Sequence, residues 1–201
     1  MDRNTRDGWS RRGVLLAGGA AALTLGGCGP QGFDVQNFYG IGSQSGIDRR
    51  VDVTRDYLLA NYPAAAPMVQ GARGVLYMPL VTEIALGPGA SYGEGALRVM
   101  DQTVNYYSAA QASFGVQAGA QQYSHALIFN SDEALAAFQS SPGWVAGADA
   151  FYALPNGGLA MGVDTLTAMH PIIAMIFGQS GLMAGAAIEG TKYTRVTLNR
   201  P

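Results

Sequence analysis

The sequence predicts an α+β fold, and three observations carry that prediction. Residues 47–62 keep a helical period, with Ile47, Val51, Leu58, Leu59 and Tyr62 near one face. From residue 74 onward the period changes to two. The composition is rich in glycine, with 28 residues, and only 13% of the chain is charged. Such chains favour close-packed sheets over long helices.

The elements follow in order. Ser45 is the expected N-cap of the first helix, and Asp48, Arg49, Arg50, Asp52, Arg55 and Asp56 fill its polar face. Pro63 should end it, because proline lacks the amide hydrogen that the helix needs. A short turn is expected around Pro67–Gln70, then a strand over Gly74–Met78. In Ala112–Gln121, Ala112, Phe114, Val116, Ala118 and Ala120 alternate with polar or glycine residues, which predicts a half-buried strand with a smooth face. Tyr123–Phe129 is a further strand. Asn130 and Glu133 have capping-box spacing, which predicts a short helix over Asn130–Gln139. Ala148–Leu154 and Gly158–Val163 read as a hairpin around Pro155-Asn156-Gly157.

Thr165 to Ile188 contains no Asp, Glu, Lys or Arg over twenty-four residues. That length would suffice for a membrane span, which needs about 20 residues. Gly178-Gln179-Ser180-Gly181 splits it into Pro171–Phe177 and Leu182–Ile188, seven residues each. Seven is strand length, so two strands joined by a tight turn are expected. No Lys follows the glycines, which excludes a Walker phosphate loop.

The N-terminus is read as an address and an anchor. Residues 1–27 carry a net charge of +2, from Arg3, Arg6, Arg11 and Arg12 against Asp2 and Asp7. Arg11-Arg12 resembles a twin-arginine export signal and is followed by a short apolar run, Val14–Leu25. Leu25-Gly26-Gly27-Cys28 resembles a lipobox, whose cysteine becomes a lipidated N-terminus. Three segments are expected: a cleaved signal peptide over 1–27, a lipidated tether over 28–46, and a folded domain over 47–201. The eighteen residues 29–46 would span about 23 Å. The expected location is the bacterial cell envelope, on a membrane facing the periplasm. Gly29, where Asp would favour inner-membrane retention, leaves the outer membrane open.

Function classes narrow accordingly. The net charge of -2 does not suit a nucleic-acid partner. Cys28 is the only cysteine and His125 and His170 are the only histidines, so no zinc-type cluster is expected. Neither a metal nor a cofactor is called for. Gly-x-Ser-x-Gly is absent. Glu94, Asp149 and Glu189 stand in apolar surroundings and His125 lies in a strand, which keeps an unrecognised hydrolase as an alternative. The Gly-x-Gly pattern at 40–46 has no strand before it and does not predict a dinucleotide site.

"GARGVLYMP", "GASYGEGALRV", "SFGVQAGAQ", "HALIFNSDEALAAF", "GADAFYAL" and "SGLMAGAAIEGT" occur in the order seen in the SYLF lipid-binding domain family, also called the yeast-type actin-binding domain family. The resemblance covers roughly residues 47–198. It implies a mainly antiparallel sheet, sandwich or barrel-like, with an N-terminal and a short internal helix packed on it. It implies a non-catalytic domain that binds membrane phospholipids. Arg49, Arg50, Arg55 and Arg73 would meet the lipid headgroup. "TVNYYSAAQ" lacks the Trp-Ser and Pro of relatives, and Gly178–Gly181 lacks their cation. Actin is not expected as the partner of an exported bacterial protein. A structural module that binds an unidentified protein partner is the remaining alternative.

Overall fold

The computed structural model describes residues 43–147, 150–153, 170–181 and 187–198, without the side chains of 114–117 and 151–153. The signal, Cys28 and the tether up to residue 42, the second half of the expected 148–163 hairpin, and 182–186 lie outside the described residues.

Helix α1 (Gln44–Asn61) starts three residues earlier than its apolar period suggests. Its cap is Ser43, not Ser45: Ser43 is extended and its hydroxyl accepts from the Gly46 amide at 3.2 Å. Ile47, Val51, Thr54 and Leu58 form its buried stripe. Pro63 ends the helix as expected and opens a 3-10 turn, Pro63–Ala65, that leads into the short helix α2 (Ala66–Gly71).

Strand β1 (Gly74–Val99) and strand β2 (Gln102–Phe129) form one long antiparallel hairpin. The separate strands expected at 112–121 and 123–129 are parts of β2. A two-residue turn, Met100–Asp101, joins β1 to β2 with φ of 48° and 63°. Both angles are left-handed, which fits the natural twist of a hairpin but is unusual for residues other than glycine. Arg55 binds the Asp101 carboxylate through Nη1 at 2.5 and 2.6 Å. Arg98 donates to the Asp101 carbonyl at 3.1 Å.

Helix α3 (Asp132–Ser140) follows, capped by Ser131, whose hydroxyl accepts from the Ala134 amide. Asn130, the expected cap, instead donates to the His170 carbonyl at 2.8 Å. The remaining strands are β3 (Trp144–Val145), β4 (Ala150–Ala153), β5 (Ile172–Gly181) and β6 (Lys192–Val196).

Strand β2 is the spine of the six-stranded sheet. Along one edge it pairs with β1. Its other edge is shared: β6 takes Tyr106–Ala110 and β5 takes Gln121–Phe129. Every pairing is antiparallel except β4 with β5. The fold is therefore α+β with a mainly antiparallel sheet, an N-terminal helix and a short internal helix.

Around β5 both faces of this sheet are covered. Ile172, Ala174 and Ile176 enter the core that contains Phe138, Tyr107 and Tyr193. Ile173, Met175 and Phe177 enter the core beneath α1 and α2. A strand buried on both sides cannot alternate with polar residues. That is why Ile172–Phe177 carries no charge. No described helix is long and apolar enough to span one. The turn expected at Gly178–Gly181 is instead a continuation of β5. Phe177 faces Ser124 and Ser180 faces Gln122, so Gly178 and Gln179 form a bulge. Gly178 has a φ of 63°, which glycine adopts without penalty.

Strand β1 also folds back on itself. A β-carbon on Gly95 would collide with the Tyr77 carbonyl, and one on Gly93 would lie 2.7 Å from the Leu80 carbonyl. Its two ends therefore pass in backbone contact, which only glycine permits. The intervening residues bend at a bulge between Leu86 and Pro88.

Candidate functional site

The bend leaves one face of the β1–β2 ribbon uncovered. Directly opposed residues share a face, and four pairs define this one: Ile84 with Ala120, Leu86 with Ala118, Ala90 with Ala112, and Tyr92 with Ala110. All eight are exposed, Ile84 at 57% and Leu86 at 77%. The alternation read in Ala112–Gln121 was correct in period, but the face expected to be half-buried is turned outward at Ala112, Ala118 and Ala120. The opposite face carries Gln121 and Glu83, joined at 2.7 Å, and Gln121 is buried.

Where β1 curls, the same face becomes concave. Leu80, Thr82, Ile84, Ala90, Tyr92 and Glu94 line an open groove of about 370 Å³, and Arg50 of α1 supplies one wall. The volume is in the range of small-ligand sites. Arg50 is half-buried. Burial pushes its guanidinium down, while nearby Glu94 raises it and Arg49 lowers it further. An arginine stays charged through such shifts. Its Nε is buried without a hydrogen-bond partner. Tyr92 donates its hydroxyl to Glu94 Oε1 at 3.0 Å. Burial, then the neighbouring Glu94, pushes the Tyr92 phenol up, so it keeps its proton.

The four arginines expected to meet a headgroup do not gather. Arg49 is exposed on α1, one residue from the groove wall formed by Arg50. Arg55 is held by Asp101 and Asp56. Arg73 lies 3.7 Å from Asp132. Arg98 sits 2.7 Å from Asp52 and 3.7 Å from Asp48. Asp48 also accepts from Thr103 at 2.6 Å and Tyr106 at 2.8 Å. These groups clamp α1 onto the hairpin.

The residues weighed for acid–base chemistry are scattered. His125 is fully buried on β2, with Nε2 2.7 Å from the Tyr193 hydroxyl. Burial pushes it down to about 3, so it is neutral at neutral pH. Glu189 is exposed in a turn, and Asp149 lies outside the described residues. Among the described residues no group of three His, Cys, Asp or Glu side chains could hold a metal.

The exposed ribbon face was missed in the sequence. Its signal was there in the alternation Leu80, Thr82, Ile84, Leu86, interrupted by Glu83, which marks the other face. The bend hid it, because a strand exposed at its centre and buried at both ends reads as a loop.

Comparison with known families bears on residues 110–199, which match the family model described as Ysc84, Las17-binding protein actin regulator. The match takes in most of β2 and the elements after it. No curated protein matches the chain.

Proposed function

We propose that the chain, whose residues 110–199 match the Ysc84 (SYLF) family model, is a non-catalytic phospholipid-binding protein that lays the exposed face of its β1–β2 ribbon against a membrane. The observation that carries this reading is the run of exposed apolar side chains from Ile84 to Tyr92, which continues into a groove walled by Arg50. Water gains nothing by contact with such a face, and burying a leucine contributes roughly 1.5–3 kcal/mol. Cys28 would hold the chain to the bilayer of the cell envelope by its lipid, after export directed by Arg11 and Arg12. Arg49 and Arg50 are the arginines best placed to approach a headgroup. The family description names a protein partner, but the ribbon face is smooth and apolar, and actin is not a partner that an exported bacterial protein would meet.

Vesicle flotation tests this. The chain with Cys28→Ser should float with phospholipid vesicles. Leu86→Asp should weaken that association by about tenfold, since it replaces an apolar contact by a charge. Thermal unfolding should not change, because Leu86 is already exposed. No flotation on any vesicle would refute the lipid reading, and a search for a protein partner on the same face would replace it.

A further inference from the structure

We infer that the groove where β1 curls holds a single acyl chain of a phospholipid. The inference rests on the lipid reading above and names what that same site takes up.

The lining is predominantly apolar, from Leu80, Ile84, Ala90 and Tyr92. Its polar side chains are engaged within the fold. Tyr92 donates to Glu94 at 3.0 Å, and Thr82 accepts from Gln122 at 3.3 Å. Glu94 and Arg50 carry opposite charges that sum to zero within the groove. Recognition there falls to hydrocarbon rather than to an ion. An apolar cavity of ~150 Å³ holds one benzene ring. A groove of about 370 Å³ has room for roughly a dozen carbon atoms, one acyl chain and not two.

The shape of the groove is set by backbone. A β-carbon on Gly93 would lie 2.7 Å from the Leu80 carbonyl, so the two arms of β1 touch there. Leu80 and Gly93 both belong to the lining. A groove built on touching strands is formed before its ligand arrives, which favours binding.

Ile84, Ala90 and Tyr92 belong both to the groove and to the exposed ribbon face. A chain from a leaflet beneath the ribbon can therefore enter the groove without crossing water. A second copy of the protein is a poorer occupant. The ribbon face is about 10 Å wide and roughly 30 Å long. Its area of about 300 Å² falls well short of the ~800 Å² per partner in a stable protein interface.

Calorimetric titration of the full chain carrying Cys28→Ser tests the assignment. The probe is lauroyl-lysophosphatidylcholine, kept below its micelle concentration. One lysolipid should bind per protein, and raised salt should leave the affinity unchanged. Decanoyl-lysophosphatidylcholine should bind about ten- to twentyfold more weakly, from roughly fourfold per buried methylene. Thr82→Trp places an indole in the groove and should weaken binding by about tenfold or more. Ala90→Phe should do the same, and it carries the test if Thr82→Trp fails to fold. Binding that ignores chain length, is lost in salt, or survives in both filled variants would overturn the inference. Flotation on vesicles without lysolipid binding would overturn it too and leave the lipid reading standing. Lysolipid binding without flotation would support the groove and remove the docking of the ribbon on a membrane. Absence of both would remove both.

Discussion

Gly95 sits where the two ends of β1 pass each other, and its backbone lies against the Tyr77 carbonyl. Gly95→Ala would force these segments apart, with an expected loss of about 1–3 kcal/mol measured by urea unfolding. An unchanged stability would mean that the ends do not touch. His125 shows a second residue-level effect. Its folded state resists protonation down to about pH 3, while the unfolded chain takes up a proton near the ordinary value of 6.5. Acid therefore favours the unfolded state. The contribution of neutral His125 is complete above pH 6.5 and is lost as pH falls, at up to about 1.4 kcal/mol per pH unit. His125→Gln lacks that titration, so its stability curve should be flatter between pH 6.5 and 4. A parallel fall in both proteins would show that other groups set the acid response. The imidazole's place in a strand was legible in the sequence. Its complete burial was not, because burial depends on Tyr193, which lies sixty-eight residues away along the chain.

At the scale of elements, α1 is held by two different means. Ile47, Val51 and Leu58 bury its apolar stripe, while Asp48 anchors its polar flank to Thr103 and Tyr106. Asp52 and Asp56 are more exposed and pair with arginines that water also reaches. Asp48→Ala should thus cost about 2–3 kcal/mol in thermal or urea unfolding, from two lost charged hydrogen bonds. Asp52→Ala should cost under about 1 kcal/mol, as exposed ion pairs generally do. Equal losses would contradict the distinction. The existence of α1 was readable from its period and from Pro63, and α3 from its cap region. Their caps moved by two residues and by one, from Ser45 to Ser43 and from Asn130 to Ser131, because a cap is chosen by which side chain can reach the first free amides. Strand lengths were less legible. The turn at Met100–Asp101 contains no glycine, so nothing in the sequence announced that β1 and β2 form one hairpin.

At the scale of the whole molecule, the same apolar residue types serve two opposite ends. In β5 they fill both faces of a covered strand. In the middle of β1 they stand in water. Charge is distributed with equal economy: Arg55 of α1 and Arg98 of β1 pair with aspartates within the fold, while Arg50 and Glu94 line the groove. The arginines of α1 read as a basic surface in the sequence, because a sequence shows charges without their partners. The chain alone determined the α+β class, the order of its main helices and strands, and the SYLF resemblance, since these rest on local period, proline and short motifs. Only the tertiary structure decided which face of β2 is dry, that β5 runs through Gly178–Gly181, and that Arg50 and Glu94 line one groove. Those outcomes depend on where β1 bends and on which distant strands cover β2, and such long-range contacts leave no periodic trace in the residues that make them.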